Sequence, residues 1–138
     1  MRKADVIIPT FKPGDKLEKL LRRLLEQSVP VDRVIIMNTE EKYWDAERFE
    51  SLFERGDTKL TVCHIRQSEF DHGRTRHEGI LKSDADVCIC MTHDCVPYDR
   101  NLVKELLEAL DASERTFLRG RYRCGICETA SGGGLRCD

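Results

Sequence analysis

The sequence predicts an α/β domain with a mainly parallel sheet covered by helices on both faces. Short apolar runs of strand length alternate four times with longer stretches whose apolar residues recur at helical spacing. This alternation is typical of parallel sheets, in which a helix joins each strand to the next. Polar residues come directly after the apolar runs, and open parallel sheets bind ligands at these carboxyl ends of their strands. The pattern therefore predicts a ligand site but not the ligand.

The first strand and helix show the pattern clearly. Residues 5–9 form an apolar, largely β-branched run that ends at Pro9, which predicts a buried strand. A turn through Pro13 and Gly14 follows. A helix is predicted over 15–27, with Asp15 at the end where its charge complements the helix dipole. Its apolar residues at helical spacing are Leu17, Leu20, Leu21, Leu24 and Leu25.

The remaining elements repeat this order. Further strands are predicted over 32–37, 60–65 and 86–91. Further helices are predicted over 43–55, from the polar segment 68–77 to about Lys82, and from Pro97 and Asp99 through Leu110. Because the carboxyl ends of parallel strands meet at one edge of the sheet, we expect the polar residues at these ends to lie near each other.

Length, charge and hydropathy exclude several classes of protein. A chain of 138 residues fits one domain, which we assign to residues 1–111. The net charge of -2 gives no reason to expect nucleic acid or an acidic membrane as a bulk partner. No apolar run approaches the roughly 18 residues of a membrane span, and the apolar stretch near the amino terminus is too short for a signal peptide. We therefore expect a cytoplasmic protein.

Residues 112–138 differ in composition from the rest of the chain. From Gly120 to the end, nineteen residues hold five of the nine glycines and three of the seven cysteines. This segment shows neither strand alternation nor helical spacing. We expect an atypical tail, rich in arginine, glycine and cysteine, that is poorly ordered.

Asp94 is the first candidate for chemistry, because it stands alone at the end of the fourth apolar run. An isolated carboxylate there needs a hydrogen-bonded partner or a cation. Mg2+ and Mn2+ prefer oxygen ligands and also bridge diphosphates. An alternative is that Asp94 caps the turn before Pro97 or the following helix, and the residue alone does not decide between the two.

Two arginines form the second candidate. Arg74 and Arg76 lie close to the predicted start of a helix, where backbone N–H groups and the dipole favour anions. Arginine adds bidentate binding to phosphate oxygens. The alternative is a solvated helix start with two surface arginines.

Three segments together resemble family 2 glycosyltransferases of the rhamnosyltransferase-like branch. Residues 6–11, Val-Ile-Ile-Pro-Thr-Phe, resemble the family's first strand, an apolar run followed by Pro-Thr/Ala-Tyr/Phe. Residues 69–79 look like the Phe-x-His-Gly-x-Thr-Arg-Asn-x-Gly segment of that branch, with His77 in place of the asparagine. Residues 90–97 are similar to its Leu-Thr-Gln-Asp-Ala-x-Pro segment. The resemblance runs from about Ala4 to Leu110.

The resemblance implies a Rossmann-like GT-A fold that binds a nucleotide-diphosphate sugar, with Mg2+ or Mn2+, for transfer to a saccharide acceptor. The branch points to deoxythymidine-diphosphate-rhamnose or a UDP-sugar, and to cell-surface polysaccharide. Asn38 takes the place of a base-contacting aspartate, and Asp94 that of the acid in the Asp-x-Asp metal motif. The implied donor-binding residues are Pro9, Thr10, Phe11, Asn38, Asp71, Arg74, Arg76, Thr92 and His93, with Asp94 as the metal ligand.

Nothing after Leu110 resembles the acceptor-binding half of these enzymes, which supplies a general base. No catalytic residue is therefore predicted, and the chain is interpreted as a truncated donor-binding half. A frameshifted end, a truncated gene product and a true short variant all fit the tail. We expect the apolar surface of a lone half to favour self-association. Peripheral attachment at the inner membrane face is compatible with such an enzyme.

Three other functions compete with this interpretation. One is a catalytically inactive fragment that binds nucleotide sugars. Another is a zinc-binding or redox module that uses the Cys/His-rich segments. Its candidate ligands are Cys88, Cys90, His93 and Cys95, and Cys124, Cys127 and Cys137 in the tail. The third is a hydrolase with a Thr92-His93-Asp94 relay, which the opposite orientation of adjacent strand residues disfavours.

Overall fold

The computed structural model of the protein describes residues 2–112 and the backbone of residues 122–124. Its strands are β1 (Ala4–Phe11), β2 (Arg33–Thr39), β3 (Lys59–Ile65), β4 (Val87–Cys90), β5 (Cys95–Pro97) and β6 (Tyr122–Cys124). Its α-helices are α1 (Asp15–Leu25), α2 (Ala46–Glu50), α3 (His72–Leu81) and α4 (Leu102–Asp111). Short 3-10 turns occupy Glu41–Tyr43, Ser51–Phe53 and Gln67–Glu69.

The first four strands form one parallel sheet in the order β3-β2-β1-β4. The chain moves outward from β1 to β2 and β3, and then crosses back to place β4 on the other side of β1. The direction of the connections therefore reverses at β1. Such a reversal opens a crevice at the carboxyl ends of the two central strands, where α/β sheets bind ligands.

Side-chain alternation along the buried strands divides the core into two layers. Val6 and Ile8 of β1 face one side, where they pack with the apolar faces of α1, α2 and α4. Ile7 of β1 faces the other side with Ile35 and Met37 of β2. The predicted strand runs are apolar at almost every position because both faces of the sheet are covered.

The larger layer is tied together at its surface by ion pairs between α1 and α2. Arg48 of α2 contacts the carboxylates of Asp15 and Glu18 in α1. The hydrogen bond to Glu18 raises the pKa of Arg48, and the same bond lowers the pKa of Glu18. These solvated charges orient the two helices and add little to stability.

The smaller layer depends on close packing of α3 against the sheet. A methyl group built on Gly79 of α3 would lie 2.6 Å from Cγ2 of Ile7 and 3.3 Å from Cγ of Met37. Ile7 is fully buried on a central strand and has no room to move aside. Gly79 therefore lets α3, which begins at the ligand end of the sheet, approach the strands closely.

Two predicted helices differ from the structure. The helix expected over 43–55 is interrupted, since Trp44 is extended and the Asp45 side chain accepts a hydrogen bond from Arg48 N to begin α2 anew. The helix expected from Pro97 begins only at Leu102. Residues 95–97 instead form β5, because they pair with β6.

The segment after α4 is described only at β6. Tyr122–Cys124 pairs antiparallel with Cys95–Pro97, a strand that the residue pattern did not predict because its hydrogen bonds come from a distant partner. The predicted disorder of the rest of the tail lies outside the described residues. Within the described part, no helix is long and apolar enough to cross a membrane.

We expect Gly79→Ala to lower the free energy of unfolding by about 1–3 kcal/mol, because the added methyl group overpacks the interface with Ile7. Gly56→Ala is the control, since a methyl group there meets only the Thr58 nitrogen at 3.9 Å. Urea denaturation of both variants measures the difference. Equal stability of the two would contradict the close approach of α3.

Candidate functional site

An open cavity of about 420 Å3 lies at the carboxyl ends of the central strands, where the connections reverse direction. Its wall combines residues from the ends of β1 and β2, the segment after β3, α3, and the turn after β4. The lining residues are Pro9, Thr10, Phe11, Thr39, Gln67, Phe70, His72, Arg76, Thr92, His93 and Asp94. The predicted ligand end of the sheet therefore contains a concave site with few charged groups.

Asn38 does not line the cavity but forms hydrogen bonds with residues at the ends of β1 and β2. Its side chain is fully buried, and its Oδ1 accepts a hydrogen bond from Thr10 Oγ1 at 2.8 Å. Its Nδ2 donates to the carbonyl oxygen of Glu40 at 3.1 Å and lies 3.1 Å from Nδ1 of His64. With its amide occupied in this way, Asn38, which was predicted to contact the donor, is not among the residues that line the cavity.

Thr39, the next residue of β2, lines the cavity instead. Its side chain is buried, and its Oγ1 has no hydrogen-bond partner among the described residues. A buried hydroxyl without a partner costs free energy. Because this one lies at the cavity wall, a ligand with a hydrogen-bonding edge would satisfy it. Strand alternation turns Asn38 inward and so leaves the ligand side to its neighbour.

Three rings line the cavity, those of Phe11, Phe70 and His72. Phe11 at the end of β1 meets Tyr43 edge to face, with ring centroids 5.7 Å apart. Phe70 and His72 form a second edge-to-face pair at 5.0 Å. Flat, apolar walls of this kind suit a planar ring system.

The start of α3 brings one of the two predicted arginines into the site. Asp71 caps the helix, because its Oδ2 accepts a hydrogen bond from Arg74 N at 2.8 Å. Arg76 lines the cavity and donates from a guanidinium nitrogen to the His72 carbonyl oxygen at 2.9 Å. Asp71 and Arg74, also predicted to contact the donor, lie outside the lining.

The turn after β4 supplies the acidic end of the cavity. Thr92 Oγ1 donates to Cys95 Sγ at 2.8 Å, and Cys95 Sγ lies 3.8 Å from Oδ1 of Asp94. Burial lowers the pKa of His93 below its usual value, although the charge of Asp94 acts in the opposite direction. The His93 ring is therefore neutral at neutral pH, and its Nδ1 is buried without a partner among the described residues.

Asp94 fits one mode of metal binding and not another. A hard cation such as Mg2+ is often held by one or two carboxylates together with substrate phosphates and water. Asp94 lines the cavity and supplies one such oxygen ligand. Within residues 2–112, no three His, Cys, Asp or Glu side chains are placed to hold a metal by themselves. The site thus fits a cation that binds together with a diphosphate.

Most, but not all, of the predicted site is brought together. Pro9, Thr10, Phe11, Arg76, Thr92, His93 and Asp94 line the cavity, whereas Asn38, Asp71 and Arg74 do not. Thr39, Gln67, Phe70 and His72 were not predicted. Strand alternation beside Asn38 could have found Thr39, and the motif segment containing Arg76 already included Phe70 and His72. No sequence signal marks Gln67.

The two competing site chemistries find no support among the described residues. Cys88, Cys90, His93 and Cys95 do not converge on a metal site in this part of the chain. The tail cysteines, Cys124, Cys127 and Cys137, have no described side chains. The Thr92 hydroxyl donates to Cys95 rather than to His93, so a hydrolase relay is absent from the geometry.

Similarity to known proteins shows the family of this chain. The sequence profile described as Glycosyl transferase family 2 matches residues 5–133. The chain belongs to glycosyl transferase family 2. One curated relative of this family 2 domain is the O-antigen chain rhamnosyltransferase RfbN of Salmonella typhimurium, 29% identical over 107 residues. The aligned part is 76% of this chain and 32% of the relative.

Solved structures confirm the GT-A fold of the family 2 domain. TarS of S. aureus, residues 1–349, superposes with a TM-score of 0.66 at 17% identity, covering 80% of this chain and 32% of TarS. The mannosyltransferase PcManGT of Pyrobaculum calidifontis, in complex with GDP-Man and Mn2+, gives 0.67 at 16% identity, covering 79% and 32%. The chain therefore spans about a third of the length of these relatives.

The contrast between Asn38 and Thr39 can be measured in the protein without ligand. We expect Asn38→Ala to lower the free energy of unfolding by about 1–3 kcal/mol, because the buried Thr10 hydroxyl and the Glu40 carbonyl oxygen lose their partner. We expect Thr39→Val to leave stability unchanged or raised, since its hydroxyl has no hydrogen-bond partner among the described residues. Similar losses in urea denaturation would refute this assignment of the two side chains.

Proposed function

We propose that this family 2 domain binds the nucleotide-diphosphate sugar that serves as glycosyl donor, for transfer to a saccharide acceptor. The observation that carries the proposal is the buried, unpartnered Thr39 hydroxyl in a cavity whose other end holds Arg76 and Asp94. A base, a diphosphate and a cation each find suitable chemistry in this one cavity. The name of the curated rhamnosyltransferase relative supports a rhamnosyl donor; we propose deoxythymidine-diphosphate-rhamnose, with a UDP-sugar as the alternative.

The base is proposed to lie between the ends of β1 and β2 and the segment after β3. Phe11 and Phe70 offer apolar ring surfaces there, and the Thr39 hydroxyl can donate to or accept from the edge of a pyrimidine. The Gln67 amide lines the same cavity and has both kinds of hydrogen-bonding group. The neutral Thr39 hydroxyl and Gln67 amide can form hydrogen bonds with an uncharged base.

The diphosphate is proposed to extend from Arg76 toward Asp94. The Arg76 guanidinium can bind phosphate oxygens in a bidentate manner, and its contact with the His72 carbonyl holds it at the start of α3. Asp94 would hold Mg2+ or Mn2+ together with the diphosphate oxygens. When bound, this cation supplies Lewis-acid stabilisation of the diphosphate leaving group.

Activation of the acceptor is not assigned to a residue. Transfer needs a base that removes the proton of the acceptor hydroxyl. Asp94 is the single carboxylate among the described residues that line the donor cavity, and the metal role occupies it. The proposal for this part of the chain is therefore donor binding. The whole enzyme's transfer reaction is proposed from the family.

The first test is calorimetric titration with deoxythymidine diphosphate and uridine diphosphate in the presence of Mn2+. We expect Thr39→Val to weaken binding of the nucleoside and the nucleoside diphosphate equally, by about threefold to tenfold, because one hydrogen bond to the base is lost. Thr61→Val makes the same change on β3, away from the cavity, and should leave both affinities unchanged. A folded wild-type chain that binds neither nucleotide would disprove the proposed function.

The metal role is tested separately by Asp94→Asn. We expect this variant to lose most of the gain in nucleotide affinity that Mn2+ gives the wild type, because the carboxylate charge at the diphosphate end is removed. Affinity measured without metal should stay within about twofold of the wild type. Asp84→Asn, at the opposite end of the sheet, is the control. An undiminished Mn2+ effect in Asp94→Asn would exclude Asp94 as the metal ligand.

A further inference from the structure

A second, smaller cavity lies on the other side of the turn after β4. Its volume is about 210 Å3, and it is lined by Lys12, Gly14, Asp15, Lys16, Leu17, His93 and Asp94. His93 and Asp94 also line the donor cavity, so the two cavities share one wall. Unlike the donor cavity, this one has two lysines in its lining.

Lys12 adopts a backbone conformation that lysine rarely takes. Its φ of 49° lies in the left-handed region, where a side chain costs free energy and glycine does not. The only other described non-glycine residue with positive φ is Glu40, at the end of the neighbouring strand, with φ 66°. Strained residues of this kind cluster at functional sites. The strained backbone at Lys12 therefore directs attention to its ammonium group.

The position of the Lys12 ammonium indicates a use for that group. Its Nζ lies 5.1 Å from the Phe11 ring centroid and 5.2 Å from that of Tyr43, at the rim of the donor cavity. The residue also lines the second cavity together with Lys16. Lys12 therefore lies between the two cavities, with its charge held near aromatic rings.

The acidic groups in the second cavity are accounted for by other contacts. Asp15 contacts Arg48, and its side chain is almost fully exposed to solvent. Asp94 is the residue proposed to hold the cation. His93 adds a buried Nδ1 that has no partner among the described residues and can donate a hydrogen bond in one tautomer. The remaining lysine charges favour an anion.

We infer that Lys12 and Lys16 form a phosphate-binding subsite in the second cavity, beside the turn that carries Asp94. The ligand class is a phosphate oxyanion next to the metal position. It comes either from the donor, as the part of the diphosphate farther from the nucleoside, or from a separate molecule that carries a phosphate group. The first source rests on the proposed donor function, whereas the second does not.

The experiment uses a pair of variants that relieve the same backbone strain. Lys12→Gly removes the ammonium and should raise or maintain the melting temperature, because glycine accepts positive φ. Glu40→Gly does the same at the matched position, which lines neither cavity. Lys12→Arg retains the charge and serves as the rescue variant. Lys16→Met tests the second lysine without changing the helix backbone.

The probes are deoxythymidine, deoxythymidine diphosphate and inorganic pyrophosphate, titrated in a calorimeter with Mn2+. We expect Lys12→Gly to lower the affinity for at least one phosphate-bearing probe by about fivefold to tenfold, the loss of one charged contact. Its affinity for the nucleoside should not change, which shows that the Phe11 ring is undisturbed. Glu40→Gly and Lys12→Arg should bind all three probes as the wild type does.

The outcomes separate the two sources. A loss confined to deoxythymidine diphosphate in Lys12→Gly assigns the subsite to the donor. In the second case, pyrophosphate still binds the wild type when that protein is saturated with deoxythymidine diphosphate, and it binds Lys12→Gly more weakly. This result assigns the subsite to a second molecule. If the wild type binds pyrophosphate through Lys12 but no nucleotide, the proposed function fails and the subsite stands. Lys12→Gly binding every probe as tightly as the wild type overturns the subsite.

Discussion

The structure depends on the parallel pairing of β1 with a strand on each side. β1 pairs with β2 along seven residues and with β4 along four. Its apolar side chains are buried on both faces, so a one-residue shift of either neighbour would exchange that neighbour's side chains between two layers that are packed differently. This pairing fixes where the chain reverses direction across the sheet. It thereby fixes the crevice in which the polar ends of the strands meet.

The chemistry of the site follows from what the strands do where they end. β1 and β2 leave the sheet through Lys12 and Glu40, both in left-handed conformations, and these turns bring Phe11 against Tyr43. Within β2, alternation directs Asn38 into a hydrogen-bond network and leaves Thr39 at the ligand side. The buried amide thus supports the wall, and the unsatisfied hydroxyl gives the cavity its polar contact.

Asp94 joins the two cavities because it stands on the turn between them. On one side it faces the donor cavity with Arg76, and on the other it faces Lys12 and Lys16. Its single carboxylate, without further protein ligands among the described residues, suits a cation whose other ligands come from phosphate and water. The charged groups around this turn are therefore the basic side chains of Arg76, Lys12 and Lys16 and the carboxylate of Asp94, which suits a bound cation.

The sequence by itself determined the class of fold, the order of the strands along the chain, and the segments that form the site. Hydrophobic period and the residue types at strand ends are local properties, and the segments that they marked contain Thr10, Arg76 and Asp94, which line the cavity. Tertiary structure decided which of two adjacent residues, Asn38 or Thr39, faces the cavity. It also made residues 95–97 a strand and formed the second cavity beside Lys12. These features depend on contacts between distant parts of the chain, which no local pattern records.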